Sequence, residues 1–134
     1  MRIRVPHNFE PRPYQREAME FFDIGGKRAI DVWHRRAGKD LTALHQTNKS
    51  AHRRRGAYWH FFPTFEQARK AIWEGFVTTS GQRIIDAVFP PELVARRNEQ
   101  QMLIELKCGS IWRLMGTDRV ESVGAGPIGV TFSE

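Results

Sequence analysis

The chain predicts an α/β fold: a parallel sheet with helices on its faces and one antiparallel hairpin inserted. Three observations carry this expectation. Apolar residues recur at helical spacing in two stretches, Pro13–Asp23 and Lys39–Arg53. A short aromatic run, Ala57–Phe62 (AYWHFF), follows the second stretch and reads as a strand closed by Pro63. A strand-loop-helix-strand-helix order over the first half calls for parallel pairing, because each crossover returns the chain to the same end of the sheet.

Each element has a local reason. Residues 1–11 read as an extended arm. In the first helix Tyr14, Ala18, Met19, Phe21 and Phe22 form the apolar side, Pro13 suits the first turn, and Gly25 and Gly26 stop it. Residues 28–33 (RAIDVW) read as a strand and residues 34–38 as a loop. The second helix carries Leu41, Ala43, Leu44 and Ala51 on its apolar side. Residues 64–77 predict a third helix, with Thr64 and Gln67 spaced as a capping box. Residues 81–98 give no clear pattern, because Pro90 and Pro91 break it. Residues 101–107 and 110–115 predict a hairpin turning at Cys108 and Gly109. Residues 118–126 form a loop or helical turn, and 128–132 a final apolar strand. The chain stops one residue after the polar Ser133 at the end of that strand, so it is expected to be part of a longer protein.

Composition narrows the function classes. The 134 residues fit one domain, and a hydrophobic share of 40% supplies a core. The net charge of +6 favours a polyanionic partner, either a nucleic acid or a nucleotide. A single cysteine, Cys108, cannot form an internal disulfide and suits a reducing cytoplasm. No apolar run is long enough to span a bilayer, and the N-terminal segment lacks the apolar stretch of a secretory signal. The five histidines, His60 among them, show no zinc-site spacing and read as surface or packing residues.

The chemistry concentrates in residues 33–41, WHRRAGKDL, set between an expected strand and an expected helix. In that context loop N–H groups and the helix N-terminus face an anion. Gly38 permits close backbone approach, and Lys39 offers a compact cation to β- and γ-phosphates. Arg35, Arg36 and Lys39 would otherwise crowd the positive end of a helix dipole, a conflict that a polyphosphate relieves. The match to GxxxxGK followed by Ser or Thr is imperfect. Trp33 replaces the first glycine, and Asp40 replaces the hydroxyl residue that holds Mg2+.

With these residues in place the sequence resembles the large terminase subunit of tailed bacteriophages. Such proteins keep Gly-Lys and place an arginine four residues before the lysine, here Arg35. RPYQREAM, residues 12–19, resembles the upstream adenine-recognition segment, with Gln15 as base reader and Tyr14 as stacking ring. Residues 61–73 (FFPTFEQARKAIW) resemble the strand and helix after the phosphate loop, and residues 111–134 the approach to the second nucleotide motif. IGVTFSE would then be the Walker B strand, with Glu134 as the general base or water-positioning carboxylate.

The resemblance implies a P-loop NTPase fold of the RecA-like (ASCE) kind over residues 12–134, without the family's nuclease domain. It implies ATP held by Tyr14, Gln15, Arg35, Arg36, Ala37, Gly38, Lys39, Asp40 and Leu41, with Lys39, Arg35 and Glu134 catalytic. It further implies Mg2+, double-stranded DNA, a small terminase subunit, a portal protein, a homo-oligomeric ring and the cytoplasm of a bacterial host.

The family usually has Asp where Ser133 stands. Asp40 and Ser133 therefore read as a reciprocal exchange, one carboxylate and one hydroxyl still flanking the metal. Two other readings stand beside this one. RPYQREAM also resembles the adenine motif of superfamily 2 helicases and restriction-type translocases, which HRRAGKD and FSE fit poorly. The chain would alternatively be a non-catalytic nucleotide-binding prophage remnant. His52 to Arg55 (HRRR) reads better as a cationic helix end than as a DNA contact, and Arg96 and Arg97 suit either role. Trp59, Phe61, Phe62, Trp73 and Trp112 read as packing residues.

Overall fold

A computed structural model describes residues 11–29, 39–119 and 126–133. Of the expected strand 28–33, Arg28 and Ala29 are described and take no strand pairing; its residues 30–33, the loop 34–38 and most of the arm lie outside the described residues, as do residues 120–125 and Glu134.

Helix α1 spans Pro13–Asp23. Pro13 occupies its first turn, and the Gln15 side-chain oxygen accepts from the Arg12 backbone N–H at 2.9 Å. Gly25 ends it in the left-handed region at φ 98°. There the N–H of Gly26 donates to Phe21 O and that of Gly25 to Phe22 O, the double closure of a Schellman motif. Helix α2 spans Lys39–Arg53, with Asp40 in its first turn and His52 and Arg53 in its last, both matched to the helix dipole. Asp23 joins the two helices, accepting from Lys49 at 2.9 Å and from Arg53 at 3.2 Å. Burial works to raise the Asp23 pKa, but Lys49, Gln46 and Arg53 together hold it below the usual carboxylate value.

Five strands form one mixed sheet in the order β2-β3-β4-β1-β5. These are β1 (Ala57–Phe62), β2 (Val94–Asn98), β3 (Leu103–Leu106), β4 (Ile111–Gly116) and β5 (Gly129–Phe132). Parallel pairing is confined to β1, which lies between β4 and β5 and runs with both. The expected antiparallel hairpin is present, and antiparallel pairing also takes in β2. The β3–β4 hairpin, turning at Gly109 with φ 97°, fills one side antiparallel, and β2 extends it.

The connection from β1 to β2 holds short helical pieces. Helix α3 (Phe65–Ala68) continues as a π-helical turn, Arg69–Trp73, and ends there rather than at Val77. Gly75 lies just past this end, where any Cβ would stand 2.4 Å from Ala71 O. Helix α4 (Ile84–Val88) and a 3-10 turn (Pro91–Leu93) occupy the stretch that showed no pattern.

Register sorts the side chains. Tyr58, His60 and Phe62 of β1 lie on the same face as Trp112 and Leu114 of β4. That face carries the core, which takes in Leu44 and Ala51 of α2, Ala68, Ile72, Trp73, Ile85, Val88 and Phe89. Trp73, Trp112, Phe61 and Phe62 are buried as expected, and Trp59 is half-buried. On the opposite face Val130 and Phe132 are 47% and 72% exposed, although Phe132 stacks on Phe61 at 5.2 Å. No helix of the described residues is long and apolar enough to cross a membrane.

Candidate functional site

The strands β1, β4 and β5 end together, and their shared carboxyl edge is where parallel sheets bind ligands. Several contacts build it. The Thr64 hydroxyl caps α3 by accepting from Gln67 N–H at 3.1 Å, the first half of the expected capping box. Asp118, in the 3-10 turn Thr117–Arg119, accepts from Phe65 N–H at 2.9 Å, and Thr117 donates to Pro63 O at 3.0 Å. The end of β4 is thereby stitched to the segment leaving β1.

On the other flank β5 closes against β1. Ser133 N–H donates to Phe61 O at 2.8 Å, which continues the ladder one residue past the strand. The Ser133 hydroxyl oxygen lies 2.7 Å from His60 Nε2. His60 is 1% exposed and stacks on Phe62 with ring centroids 5.5 Å apart. Its Nδ1 has no hydrogen-bond partner among the described residues. Burial pushes the imidazole pKa down to about 4, so the ring is neutral at physiological pH. From the sequence His60 reads as a surface or packing histidine; the structure buries it on the core face, and its pairing with Ser133 depends on the β1–β5 register.

A Ser–His pair invites comparison with a hydrolytic nucleophile and base. That chemistry needs a third group to orient the imidazole and stabilise its charged form. Here Nδ1 lacks such a group among the described residues, and the low pKa makes the ring a weak base. The neutral imidazole instead holds a hydroxyl in one orientation.

The other sequence-derived candidates divide into three groups. Lys39 and Asp40 form the first turn of α2, exposed and half-buried respectively, and Leu41 is half-buried against the core. Tyr14 and Gln15 stand together in the first turn of α1. Gln15 is 4% exposed with its oxygen engaged by the backbone of Arg12, and the Tyr14 hydroxyl accepts from the Arg12 guanidinium at 2.8 Å. Arg35, Arg36, Ala37, Gly38 and Glu134 lie outside the described residues.

The remaining basic runs differ in their engagement. Arg97 pairs with Asp86 at 3.0 Å and Glu99 at 2.9 Å, and Arg96 pairs with Glu105 at 3.2 Å. At the end of α2, Arg53 is held by Asp23, while Arg54 and Arg55 are exposed.

Ser133 and Asp40 supply hard oxygen donors, the kind Mg2+ prefers, so the donor chemistry fits the ion. Comparison with models of protein families, with curated proteins and with solved structures finds no match to this chain.

Proposed function

We propose that the chain is the ATP-binding and ATP-hydrolysing motor portion of a large terminase subunit, which drives double-stranded DNA into procapsids. One observation carries the proposal: β5 runs parallel beside β1 and delivers Ser133 to the carboxyl edge of the sheet. The course of α2 supports it. Its last turn is tied to the start of β1, where the Tyr58 hydroxyl lies 2.6 Å from Arg54 O and 3.0 Å from Ser50 O. Ser110 also donates to Ala51 O at 2.6 Å. Leu41, Leu44 and Ala51 all pack on the core, so the helix lies along the sheet. Fifteen helical residues span roughly 22 Å and six strand residues about 20 Å, so the first turn is directed toward the opposite, carboxyl end.

In this reading Lys39 and the N-terminus of α2 bind the phosphates, and Arg35 stabilises charge on the γ-phosphate. Asp40 and Ser133 hold Mg2+, which neutralises charge on the phosphate oxygens when bound. Glu134 orients the attacking water. A homo-oligomeric ring working with a small terminase subunit and a portal, in the cytoplasm of a bacterial host, completes the proposal. The adenine site is less simply assigned. With its oxygen on the Arg12 N–H, Gln15 first serves α1, and reading a base would require that contact to be shared or exchanged.

The test is binding of a fluorescent ATP analogue and steady-state ATPase activity with and without duplex DNA. Binding and turnover that Lys39→Ala abolishes support the motor reading. Binding without turnover supports a nucleotide-binding remnant, and binding unaltered by Lys39→Ala removes the phosphate-loop assignment.

A further inference from the structure

We infer that His60 is a positioning residue for the nucleotide site: its Nε2 accepts the Ser133 hydroxyl proton, so that the lone pairs of Ser133 Oγ are left for a divalent cation. The inference rests on the proposed Mg-nucleotide reading and names a residue that the resemblance does not supply.

A serine hydroxyl has one proton and two lone pairs, and a metal ligand must present a lone pair. The 2.7 Å contact to His60 fixes how that proton is used, provided the imidazole is the acceptor. The surroundings hold the ring in place. His60 lies in the middle of β1, 1% exposed, stacked on Phe62. Its β-ladder partners are Leu114 in β4 and Thr131 in β5. A ring so confined cannot swing toward solvent, and Ser133 is half-buried at the end of β5 with its backbone N–H also committed. The hydroxyl is thus fixed from two sides.

Burying an imidazole costs free energy when one nitrogen is unpartnered, as Nδ1 is among the described residues. A phenylalanine would fill the same place without that cost. The hydrogen bond to Ser133 offsets part of it and orients the hydroxyl. Groups that hold a metal's ligands in this way typically change metal affinity by about 10–100-fold when removed.

The first test needs no variant. Nitrogen-15 NMR of the His60 ring in the intact chain should show Nε2 unprotonated and Nδ1 protonated. A protonated Nε2 would reverse the direction of the bond and overturn the inference. The second test titrates Mg2+ against binding of a fluorescent ATP analogue. His60→Phe, which keeps ring and packing, should raise the Mg2+ concentration required by about tenfold, with metal-free nucleotide affinity unchanged. His60→Gln, whose side-chain oxygen reaches the place of Nε2, should restore most of the difference. Equal Mg2+ dependence in His60→Phe and the parent chain, with Lys39→Ala still abolishing binding, overturns the role of His60 and leaves the nucleotide site standing. Binding indifferent to Lys39→Ala overturns both.

Discussion

His60 and Ser133, 73 residues apart, meet at 2.7 Å because β5 pairs with β1 in a register that puts both on the core face of the sheet. Burial of the His60 ring makes stability pH-dependent. Burial lowers the folded-state pKa of His60 from 6.5 to about 4. Between those values the unfolded chain binds the proton more readily, so its contribution is present above pH 6.5 and is lost as pH falls toward 4. The full loss is on the order of 3 kcal/mol, since one pKa unit is worth about 1.4 kcal/mol. Denaturant midpoints measured from pH 8 to pH 4 should therefore fall below about pH 6.5. His60→Phe should flatten that part of the curve. A parent chain with constant stability over this range would show that the ring is not held neutral by burial.

Asp40 and Ser133 are predicted to act as an exchanged pair. Asp40→Thr alone should weaken Mg-dependent nucleotide turnover, because a carboxylate is lost from the metal side. Adding Ser133→Asp should restore part of it by returning a carboxylate from the end of β5. The double variant should thus be less impaired than the product of the two single effects. Purely multiplicative losses in measured kcat/KM would mean that the two positions work independently.

How much of this was legible in the sequence depended on how local each cause is. Helix α1, helix α2 and strand β1 followed their expected bounds because Pro13, Gly25, Gly26, Pro63 and the apolar spacing act within a few residues. The turn at Gly109 was legible for the same reason. The π-helical ending of α3 at Arg69–Trp73 was not, because no local signal in residues 64–77 marks a change of helix type. Strand β2 was also missed: VARRN lies at the sheet's edge with Arg96 exposed and Arg97 half-buried, so it lacks a strand's clear apolar alternation. For the site, Ser133 was singled out by the resemblance of IGVTFSE to a Walker B strand. His60 was passed over because its partner comes from a long-range pairing that one sequence does not display. Arg97 was ambiguous until its carboxylates, Asp86 and Glu99, were brought to it by the fold.

Those carboxylates support a third prediction. Glu99 accepts from the indole N–H of Trp73 and from Arg97, whose guanidinium also lies 5.7 Å from the Trp73 ring. Burial works to raise the Glu99 pKa, but the Trp73 and Arg97 hydrogen bonds hold it below the usual carboxylate value. Its contribution is therefore present above the ordinary glutamate range and lost as pH falls through the lowered pKa. Glu99→Ala strips the indole of its partner and should cost about 1–2 kcal/mol in denaturant unfolding. The carboxylate is largely exposed, so the Arg97 pair adds little. Added salt should change the difference only slightly. A loss that vanishes in high salt would assign it to the ion pair instead.

Gly116 makes the most demanding claim on packing, because β4 and the segment leaving β1 meet there with no room between them. A Cβ at Gly116 would stand 2.1 Å from Phe65 N and 2.4 Å from the Asp118 carboxylate oxygen. The first of these is backbone and cannot rotate away. Gly116→Ala must then push the start of α3 off the sheet and stretch the 2.9 Å hydrogen bond between Phe65 N–H and Asp118. Overpacking of this kind typically costs about 1–3 kcal/mol. Asp118→Ala removes the same hydrogen bond without the clash and should cost about 1 kcal/mol. The two substitutions should be less than additive together, since each breaks the same contact. Equilibrium unfolding of the two single variants and the double variant checks this. Full additivity would show that the strain at Gly116 is relieved elsewhere than at the Phe65–Asp118 bond.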